Sequence, residues 1–382
     1  MNRIIGAITV AVCVGALPAR LDAQAVQAGP VTVTPTGRVQ VQFSTTSIGE
    51  EDLPVDADAV DPSAFEARRV WLGARLEVDE WITGRLEVDF ASGAELRDAW
   101  MNLGFHPAFQ LRIGQFKKAF SRIELISSSE SAPIERGVRI RGLTDALQTF
   151  PGNALLPGDQ YGILEGLGYV GRDVGISAHG RLGRISYRVG VFDGNGPGRA
   201  AATGAMAAAA RLAYRPFAGA PLSMAAALSY RQLDLAAGPP DNDVDGTAFE
   251  VDVEWGDFGR PGVHLVAEAD MGDNLSTDGT FLGGQGVLAY FLPTGTAARE
   301  PVFAFLRSLG NDRIQGVEPS FRVGYGDPDT DRDDDHGWLL TPGINLYFSG
   351  RNRLMFGWDA FLTGEDTLGA EHAFRAQAQL YF

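Results

Sequence analysis

Cysteine, lysine and long apolar runs are all scarce in this chain of 382 residues. The single cysteine, Cys13, lies near the start, so the chain beyond it has no partner with which to form a disulfide bond. After residue 25 no stretch offers the roughly 20 consecutive apolar residues that a membrane-spanning helix needs. The net charge of −16 disfavours binding to nucleic acid. A disordered chain is also disfavoured, because 22 Phe, 9 Tyr and 6 Trp exceed what a solvated coil carries.

The first 25 residues have the pattern of an export signal. Arg3 supplies a positive start, residues 4–17 form an apolar core, and residues 23–25 read Ala-Gln-Ala, which fits a cleavage site. We therefore expect residues 1–25 to be a signal peptide and residues 26–382 to form a single domain. A mature chain without cysteine suits a secreted or envelope protein that uses no disulfides.

Signatures of catalysis are absent from the sequence. It contains no G-x-S-x-G, no H-E-x-x-H, no Walker loop and no cysteine pair. The five histidines show no spacing typical of metal ligands: His106, His179, His264, His336 and His372. An enzyme is therefore not expected, and no cofactor is implied.

Apolar and polar residues alternate along most of the chain. In residues 69–78, Val70, Leu72 and Leu76 alternate with Arg69 and Arg75, and similar runs recur as far as residues 374–382. Such alternation predicts strands. The runs are longer than strands of most soluble proteins and match the roughly 9–11 residues with which a tilted strand crosses a bilayer.

The face opposite the apolar one repeatedly carries Arg, Glu, Asp or Gln. Apolar residues facing lipid and polar residues facing a wet lumen are typical of a transmembrane antiparallel β-barrel, an all-β fold. A soluble β-sandwich also alternates, but the strand length, the charged face and the export signal favour the barrel. We count about seventeen candidate strands, of which residues 160–170 and 301–309 are doubtful. Because bacterial single-chain barrels have an even number, we predict 16 strands, with 18 as the alternative.

Residues 112–141 form a basic segment in an acidic chain. The segment holds both lysines, and the alternation stops near Gln115. We predict a loop that folds into the lumen and narrows it, with positive side chains that attract anions. The candidate constriction residues are Arg112, Lys117, Lys118, Arg122, Arg136, Arg139 and Arg141, and strand parity adds Arg69, Arg75 and Arg85 on the lumen face. A surface loop that pairs with acidic loops or with lipopolysaccharide is the alternative.

Acidic residues concentrate in two further segments, 50–61 and 327–335, which we expect to be solvated outer loops, with divalent-cation binding as the alternative. Another segment fits the spacing of a calcium-binding loop through Asp241, Asp243, Asp245 and Asp252, with Asp in place of the final Glu. That pattern expects flanking helices, whereas here a Pro-Pro turn precedes it and a predicted strand follows. Calcium binding is therefore a hypothesis that needs structural support.

Several short motifs occur in an order that resembles one family of outer-membrane channels. They are FEARRV at residues 65–70, LRIGQFK at 111–117, GRDVG at 171–175, GVFDGNG at 190–196, PGIN at 342–345 and RAQ at 375–377. Together they are similar to the phosphate-selective porin O/P family. The resemblance implies a 16-stranded barrel, usually trimeric, with an inward-folded constriction loop. It also implies arginines along the lumen and a lysine cluster, but two lysines cannot supply the cluster.

Two hypotheses of function follow. The first is an outer-membrane porin through which small anions, phosphate among them, diffuse passively; a non-selective or cation-tolerant general porin is its variant. The second is a barrel with a structural or adhesive role through calcium-binding acidic loops. The expected partners are small anions, outer-membrane lipid, lipopolysaccharide and two further copies of the chain in a homotrimer, but not nucleic acid.

Overall fold

The structure is a computed structural model, and it describes nine stretches of the chain. These are residues 25–47, 63–137, 160–198, 206–234, 243–277, 279–294, 313–333, 335–363 and 371–382. The predicted signal peptide, except residue 25, the acidic segment 50–61 and the doubtful strand 301–309 lie outside them. Within these stretches, no helix has the length and apolar character needed to span a membrane.

The described residues form seventeen strands and two short helices. The strands are β1 Val26–Ala28, β2 Val31–Ser47, β3 Ser63–Asp79, β4 Ile82–Asp89, β5 Glu95–His106, β6 Phe109–Lys117, β7 Arg172–Leu182, β8 Ile185–Phe192, β9 Ala207–Tyr214, β10 Leu222–Asp234, β11 Asp243–Trp255, β12 Gly262–Asn274, β13 Gly279–Pro293, β14 Gly316–Asp327, β15 Gly337–Ser349, β16 Asn352–Thr363 and β17 Glu371–Tyr381. The helices are α1 Arg122–Leu125 and α2 Gln160–Gly166.

Strands β2 to β17 form a closed ring. Each pairs antiparallel with the next, and β17 pairs back to β2 from Tyr381 opposite Arg38 to His372 opposite Ser47. The predicted 16-stranded antiparallel barrel is thereby confirmed. Strand β1 lies outside the ring, where Val26 pairs with Val33 and covers the edge of β2 that extends past the end of β17.

The ring closes on a contact between Gly37 and the C-terminal residue. Backbone hydrogen bonds join Gly37 and Phe382 in both directions, at 2.9 and 3.0 Å. The aromatic ring of Phe382 occupies the space that a Cβ atom on residue 37 would need. Glycine at this position therefore leaves room for the Phe382 side chain to pack against strand β2.

The predicted alternation matches the two faces of the wall. Leu72, Leu86 and Met101 are exposed on the outer face, whereas Arg69 and Glu87 are buried towards the lumen. Aromatic side chains gather near both ends of the strands, as in the Trp81–Phe105–Phe109 group and the Phe43–Phe65 pair. Such girdles mark the two membrane interfaces of transmembrane barrels.

The connections differ between the two ends of the barrel. Short turns at residues 80–81, 107–108, 183–184 and 350–351 share one end, which we call the short-turn end. The longest connection, residues 118–171 between β6 and β7, starts from the opposite end. We call these residues the constriction loop.

Residues 160–166 form a helix, so the doubtful strand over residues 160–170 was a wrong prediction. Ile163, Leu164 and Leu167 recur at helical spacing and pack inside the barrel against Phe120 and Phe281. An apolar run in a short segment does not distinguish a buried helix from a buried strand.

Two β-bulges change which side chains face the lumen. Gln40 pairs with Arg69 and Val41 with Ala67, so Arg68 is the extra residue in β3. An extra residue lets two neighbours in sequence point to the same side of a sheet. Arg68 and Arg69 both turn inward in this way, as their shared contacts with the constriction loop show.

The second bulge lies between β4 and β5. Glu87 pairs with Asp98 and Val88 with Leu96, so Arg97 is the extra residue. Arg97 binds Asp89 on the lumen side, at 3.3 Å, and its neighbour Asp98 binds Arg172, at 3.2 Å. Each bulge therefore adds one arginine to the lumen that strict alternation would place in lipid.

Candidate pore constriction

The constriction loop folds into the lumen, as predicted. Its described first part, residues 118–137, is almost entirely buried, although it lies between two strands of an open channel fold. The loop contacts the inner wall from β10 through β17 and also contacts β2 and β3. It therefore covers more than half of the inner circumference and leaves the wall of β4 to β9 facing the open part of the pore.

Wall carboxylates hold the loop where it turns inward. Glu250 accepts hydrogen bonds from the backbone N–H groups of Ser121, at 3.0 Å, and Arg122, at 2.7 Å. Glu268 accepts from the N–H of Ile123 at 2.8 Å and from the Ser121 hydroxyl at 2.8 Å. Ser121 has a φ of 59°, which costs a non-glycine residue energy, and its hydroxyl also caps helix α1. These bonds fix the loop in a conformation that an isolated chain would avoid.

A row of polar wall side chains binds the next part of the loop through its serines and carbonyl groups. Arg38 donates to the Ser128 hydroxyl at 2.7 Å, and Gln379 donates to the Ser129 carbonyl at 3.1 Å. Further along, Arg353 and Asn345 donate to the carbonyls of residues 131 and 132, at 2.8 and 3.0 Å. Because these buried carbonyls would otherwise lack donors, the wall arginines and amides stabilise the loop.

Glu135 fixes the far end of the described segment. Its carboxylate binds Arg68 at 2.6 Å and Arg69 at 2.9 Å. Its backbone carbonyl accepts a hydrogen bond from Arg322 at 2.9 Å. One loop residue therefore joins the β3 wall to β14 on the other side of the loop.

The cations predicted on the loop have partners inside the protein. Lys117 and Arg136 lie on either side of Glu124, at 3.1 and 3.5 Å, and Lys117 also donates to the Glu124 carbonyl. Burial alone would raise the pKa of Glu124, but the charges of Lys117 and Arg136 lower it to about 2. The Tyr161 hydroxyl donates to the same carboxylate at 2.8 Å. Glu124 is therefore the ionised centre of a buried cluster.

The other described cations of the loop, Lys118 and Arg122, also have hydrogen-bond partners inside the protein. Arg122 binds both carboxylate oxygens of Glu254 on the wall through its Nε and Nη2 groups. Lys118 is buried and donates to the Gly168 carbonyl. Burial is the main cause that lowers the pKa of Lys118 to about 8, and the nearby positive charge of Arg231 is the second. Arg139 and Arg141 lie outside the described residues. The structure thus places Lys117, Lys118, Arg122 and Arg136 at or beside the loop. Carboxylates bind three of them, and a backbone carbonyl binds Lys118.

The four arginines predicted on the strands differ from one another. Arg69 is bound to Glu135, and Arg85 binds Glu87 at 2.6 Å. Arg75 pairs across strands with Arg85 and is exposed towards the short-turn end. Arg112 stacks on Trp100, with 4.1 Å between its Cζ atom and the ring centroid. Of the four, Arg75 and Arg112 form no ion pair with a described residue.

Three arginines that the sequence reasoning missed surround one tryptophan. The Cζ atoms of Arg38, Arg172 and Arg97 lie 3.6, 5.2 and 5.5 Å from the Trp71 ring centroid. The indole N–H of Trp71 donates to Asp89 at 2.6 Å. Strand parity could have placed Trp71 in the lumen, because it follows the apolar Val70, but the arginines meet there only through strand register.

Two more lumen arginines occupy neighbouring positions on β8 and β9. Arg188 pairs in register with Arg211 on one side and with His179 on the other. Arg211 binds Glu250 at 2.9 Å and Asp252 at 2.5 Å. No carboxylate of the described residues forms an ion pair with Arg188. Alternation with Tyr187 and Val189 would have identified Arg188 from sequence.

The aspartates of the predicted calcium loop are not brought together. Asp243, Asp245 and Asp252 all lie in β11, and Asp241 lies outside the described residues. Seven residues of extended strand separate Asp245 from Asp252 by roughly 23 Å, whereas calcium ligands lie within about 2.6 Å of the ion. Asp252 is bound to Arg211 instead. Nowhere in the described stretches do three or more His, Cys, Asp or Glu side chains gather as a metal site would require.

Comparison with known proteins agrees with this architecture. A family model described as phosphate-selective porin O and P matches residues 36–252, more than half of the chain. No curated protein matches the chain.

Several solved structures share the fold. The outer-membrane channel DcaP of Acinetobacter baumannii has 14% identity and a TM-score of 0.55, over 94% of this chain and 100% of that chain. OmpT of Vibrio cholerae has 11% identity and a TM-score of 0.55, with the same coverage of 94% and 100%. OprB of Pseudomonas putida has 11% identity and a TM-score of 0.57, over 92% of this chain and 94% of that one. At these identities the likeness shows the fold alone.

Proposed function

Because the chain belongs to the phosphate-selective porin O and P family and forms a 16-stranded outer-membrane channel rather than an enzyme, we propose that it conducts small anions, phosphate among them, down their gradients. The proposal rests on one observation above the others. Arg112 and Arg188 face the lumen without an ion pair to a described residue, whereas the loop cations are compensated. Unpaired guanidinium groups attract anions and can bind a phosphate oxygen pair.

The lumen offers Arg112 and Arg188 on the wall that the constriction loop leaves uncovered, because Arg112 lies on β6 and Arg188 on β8. Arg75 lies on β3, nearer the short-turn end. An anion that has passed the loop meets these groups in turn and exchanges part of its water for N–H donors. In this proposal the loop cations Lys117 and Arg136 act mainly by holding the loop through Glu124.

Weak binding is a requirement of such a channel, since an anion must leave as readily as it enters. Stacking on Trp100 fixes the plane of Arg112 but leaves its N–H groups free of described acceptors. The repulsion between Arg112 and Arg188 exceeds the attraction of Arg112 to nearby Asp98, which also favours an anion between the two arginines. These features support attraction without tight capture.

A cation-tolerant general porin is the competing proposal, and one observation favours it. Glu250, Asp252, Glu254 and Glu268 lie on the lumen side of β11 and β12 in a chain of net charge −16. Arg211, Arg122 and loop N–H groups bind these carboxylates, so their field at the pore is weakened. The ion selectivity depends on whether the field of the lumen arginines or that of the lumen carboxylates is stronger in the pore.

Reversal potentials separate the two proposals. The refolded protein is placed in a planar bilayer under a KCl gradient, and phosphate is then added to block the current. We expect an anion-side potential and partial block, both reduced in the R112A/R188A double variant. The matched control is R184A, which removes an exposed arginine at the short-turn end and should leave both readouts unchanged. A cation-side potential without block in the parent protein would contradict anion preference.

Assembly and processing are further parts of the proposal. We infer a homotrimer with outer-membrane lipid and lipopolysaccharide around it, because a structural neighbour, OmpT of Vibrio cholerae, has been solved in a trimer form. Light scattering in detergent measures the mass of the assembly. We also infer that residues 1–25 are removed on export, leaving residues 26–382 as one barrel domain, which N-terminal sequencing of the membrane-inserted protein tests.

A further inference from the structure

A second segment enters the lumen, and it comes from the short-turn end. Residues 256–261 connect β11 to β12, and we call them the β11–β12 turn. The Phe258 side chain packs against a buried cluster that includes Ile123 and Ile126 of the constriction loop. Phe258 therefore contacts the loop from the side opposite the mouth where the loop begins.

The wall around this contact is unusually apolar for a water-filled lumen. Val266, Val287 and Ala289 are buried on the inner face of β12 and β13, where polar residues prevail in such barrels. Val266 and Val287 also pair directly across the strands. Together they form an apolar surface on the inner wall, against which Ile123, Ile126 and Phe258 pack.

Backbone geometry keeps the turn directed inward. The N–H of Gly259 donates to Glu318 on β14 at 2.7 Å. Gly259 has a φ of +75°, and a Cβ atom there would lie 3.2 Å from the Tyr347 ring. A larger residue would therefore be strained twice, by its backbone and by crowding.

A chain of hydrogen bonds continues from the turn to the loop. Glu318, which is fully buried, accepts from Asn345 at 3.0 Å, and Asn345 also donates to the Ala132 carbonyl at 3.0 Å. The Tyr347 hydroxyl donates to Glu318 at 2.8 Å and accepts from Arg353 at 2.8 Å. Polar and apolar contacts thus link the same two segments by separate routes.

We propose that the β11–β12 turn positions the constriction loop and that Phe258 is a positioning residue for the pore. The turn sets how far the loop extends from the wall, and hence the width of the channel. This inference concerns the width and steadiness of the pore, and it is independent of which ion passes.

Cysteine accessibility tests the proposal, because the only cysteine of the chain, Cys13, lies in the predicted signal peptide. Ala132 of the loop and Ala209 of the β9 wall are both only 3% exposed and serve as reporter positions. The channel carrying A132C or A209C is reconstituted in full and treated with a water-soluble methanethiosulfonate. In F258A we expect labelling at A132C to accelerate by roughly tenfold or more, because loss of the phenyl ring that packs against the cluster of Ile123 and Ile126 favours local opening of the loop. Labelling at A209C should not change.

Single-channel recordings supply the second readout. F258A should give a larger and noisier conductance than the parent. F217A is the control, because Phe217 lies in the β9–β10 connection at the short-turn end and is 62% exposed. It should match the parent in both readouts.

A second variant, G259A, tests the proposal if F258A does not refold. G259A keeps the phenyl ring but crowds Tyr347, so it should displace the turn and accelerate labelling at A132C. Parental labelling rates and parental conductance in F258A, or in G259A if only that variant folds, would overturn the proposal. Equal acceleration at A132C and A209C would also overturn it, since that result indicates general loosening of the barrel.

Discussion

Arg112 stacks on Trp100 inside the lumen, with its guanidinium carbon 4.1 Å from the centroid of the indole ring. A cation over a tryptophan face is held without a counter-charge beside it, whereas the field of a cation bound to a carboxylate is largely cancelled by that carboxylate. Arg112 therefore keeps a fixed place on the wall and a field that acts on passing ions. Lys117 lies only five residues after Arg112, but it is bound to Glu124. It therefore contributes little to the field that acts on passing ions.

Replacing Trp100 by Leu should weaken anion preference without changing the charge of the pore. The stacking contact contributes about 0.5–2 kcal/mol to the placement of Arg112. We expect W100L to shift the reversal potential towards zero by less than R112A does. Planar-bilayer recordings under a salt gradient measure both variants, and a W100L potential identical to that of the parent would show that the stack has no role in selectivity.

Removing the charge of Glu135 should increase anion preference. E135Q releases Arg68 and Arg69 from their shared partner and leaves two cations near the pore. Breaking a buried ion pair by changing one partner costs about 3–5 kcal/mol, so the loop should also become less firmly held. E130Q is the matched control, because Glu130 forms its ion pair with Arg351 at a more exposed site. Equal selectivity in E135Q and E130Q would argue against this prediction.

Acid should loosen the constriction loop through Glu124. The pKa of Glu124 is about 2 in the folded protein, below its ordinary value of 4.5, so the ionised form stabilises the fold. That contribution, about 3 kcal/mol, is complete above pH 5 and is lost as the pH falls towards 2. Current noise should rise over this range. E124Q should be noisy already at pH 7 and should change little with acid; a parallel pH response in both proteins would exclude Glu124 as the titrating group.

Closure of the barrel should be sensitive to Gly37. G37A places a methyl group where the Phe382 ring lies, so the C-terminal strand should pair less completely with β2. We expect a lower yield of refolded barrel, measured as the heat-modifiable band on electrophoresis. G286A is the control, because the nearest atom to its added Cβ is 3.9 Å away. Equal yields of the two variants would show that the ring contact is dispensable.

The barrel fold was largely predictable from the sequence. A strand with one face towards lipid and the other towards water must alternate apolar and polar residues. The apolar sets beginning at Val70 and Leu354 lie on the outer face as expected, and the basic segment after Leu111 enters the lumen. The family resemblance is confirmed as well.

The site was less predictable, because ion pairs depend on register and on loop path. Glu250 and Glu268, more than a hundred residues from the loop, determine where Ser121 is held. Parity alone could have added Arg188 to the candidates. It could not have shown that Glu124 compensates Lys117 and Arg136, or that Asp252 serves Arg211 and not a calcium ion.

The bulge at Arg68 also bears on how this sequence can change over evolution. Because Ala67 and Arg69 already pair with consecutive residues of β2, loss of Arg68 would restore strict pairing in β3 and leave every remaining residue on its present face. Phe65 would still face outward, and the strand would lose only the inward arginine that binds Glu135. A single-codon deletion at this position therefore needs no compensation elsewhere in β3, whereas a deletion at another position of the strand would exchange the faces of the residues on one side of it. We therefore expect alignments of this strand among relatives to place their gaps at the paired arginines.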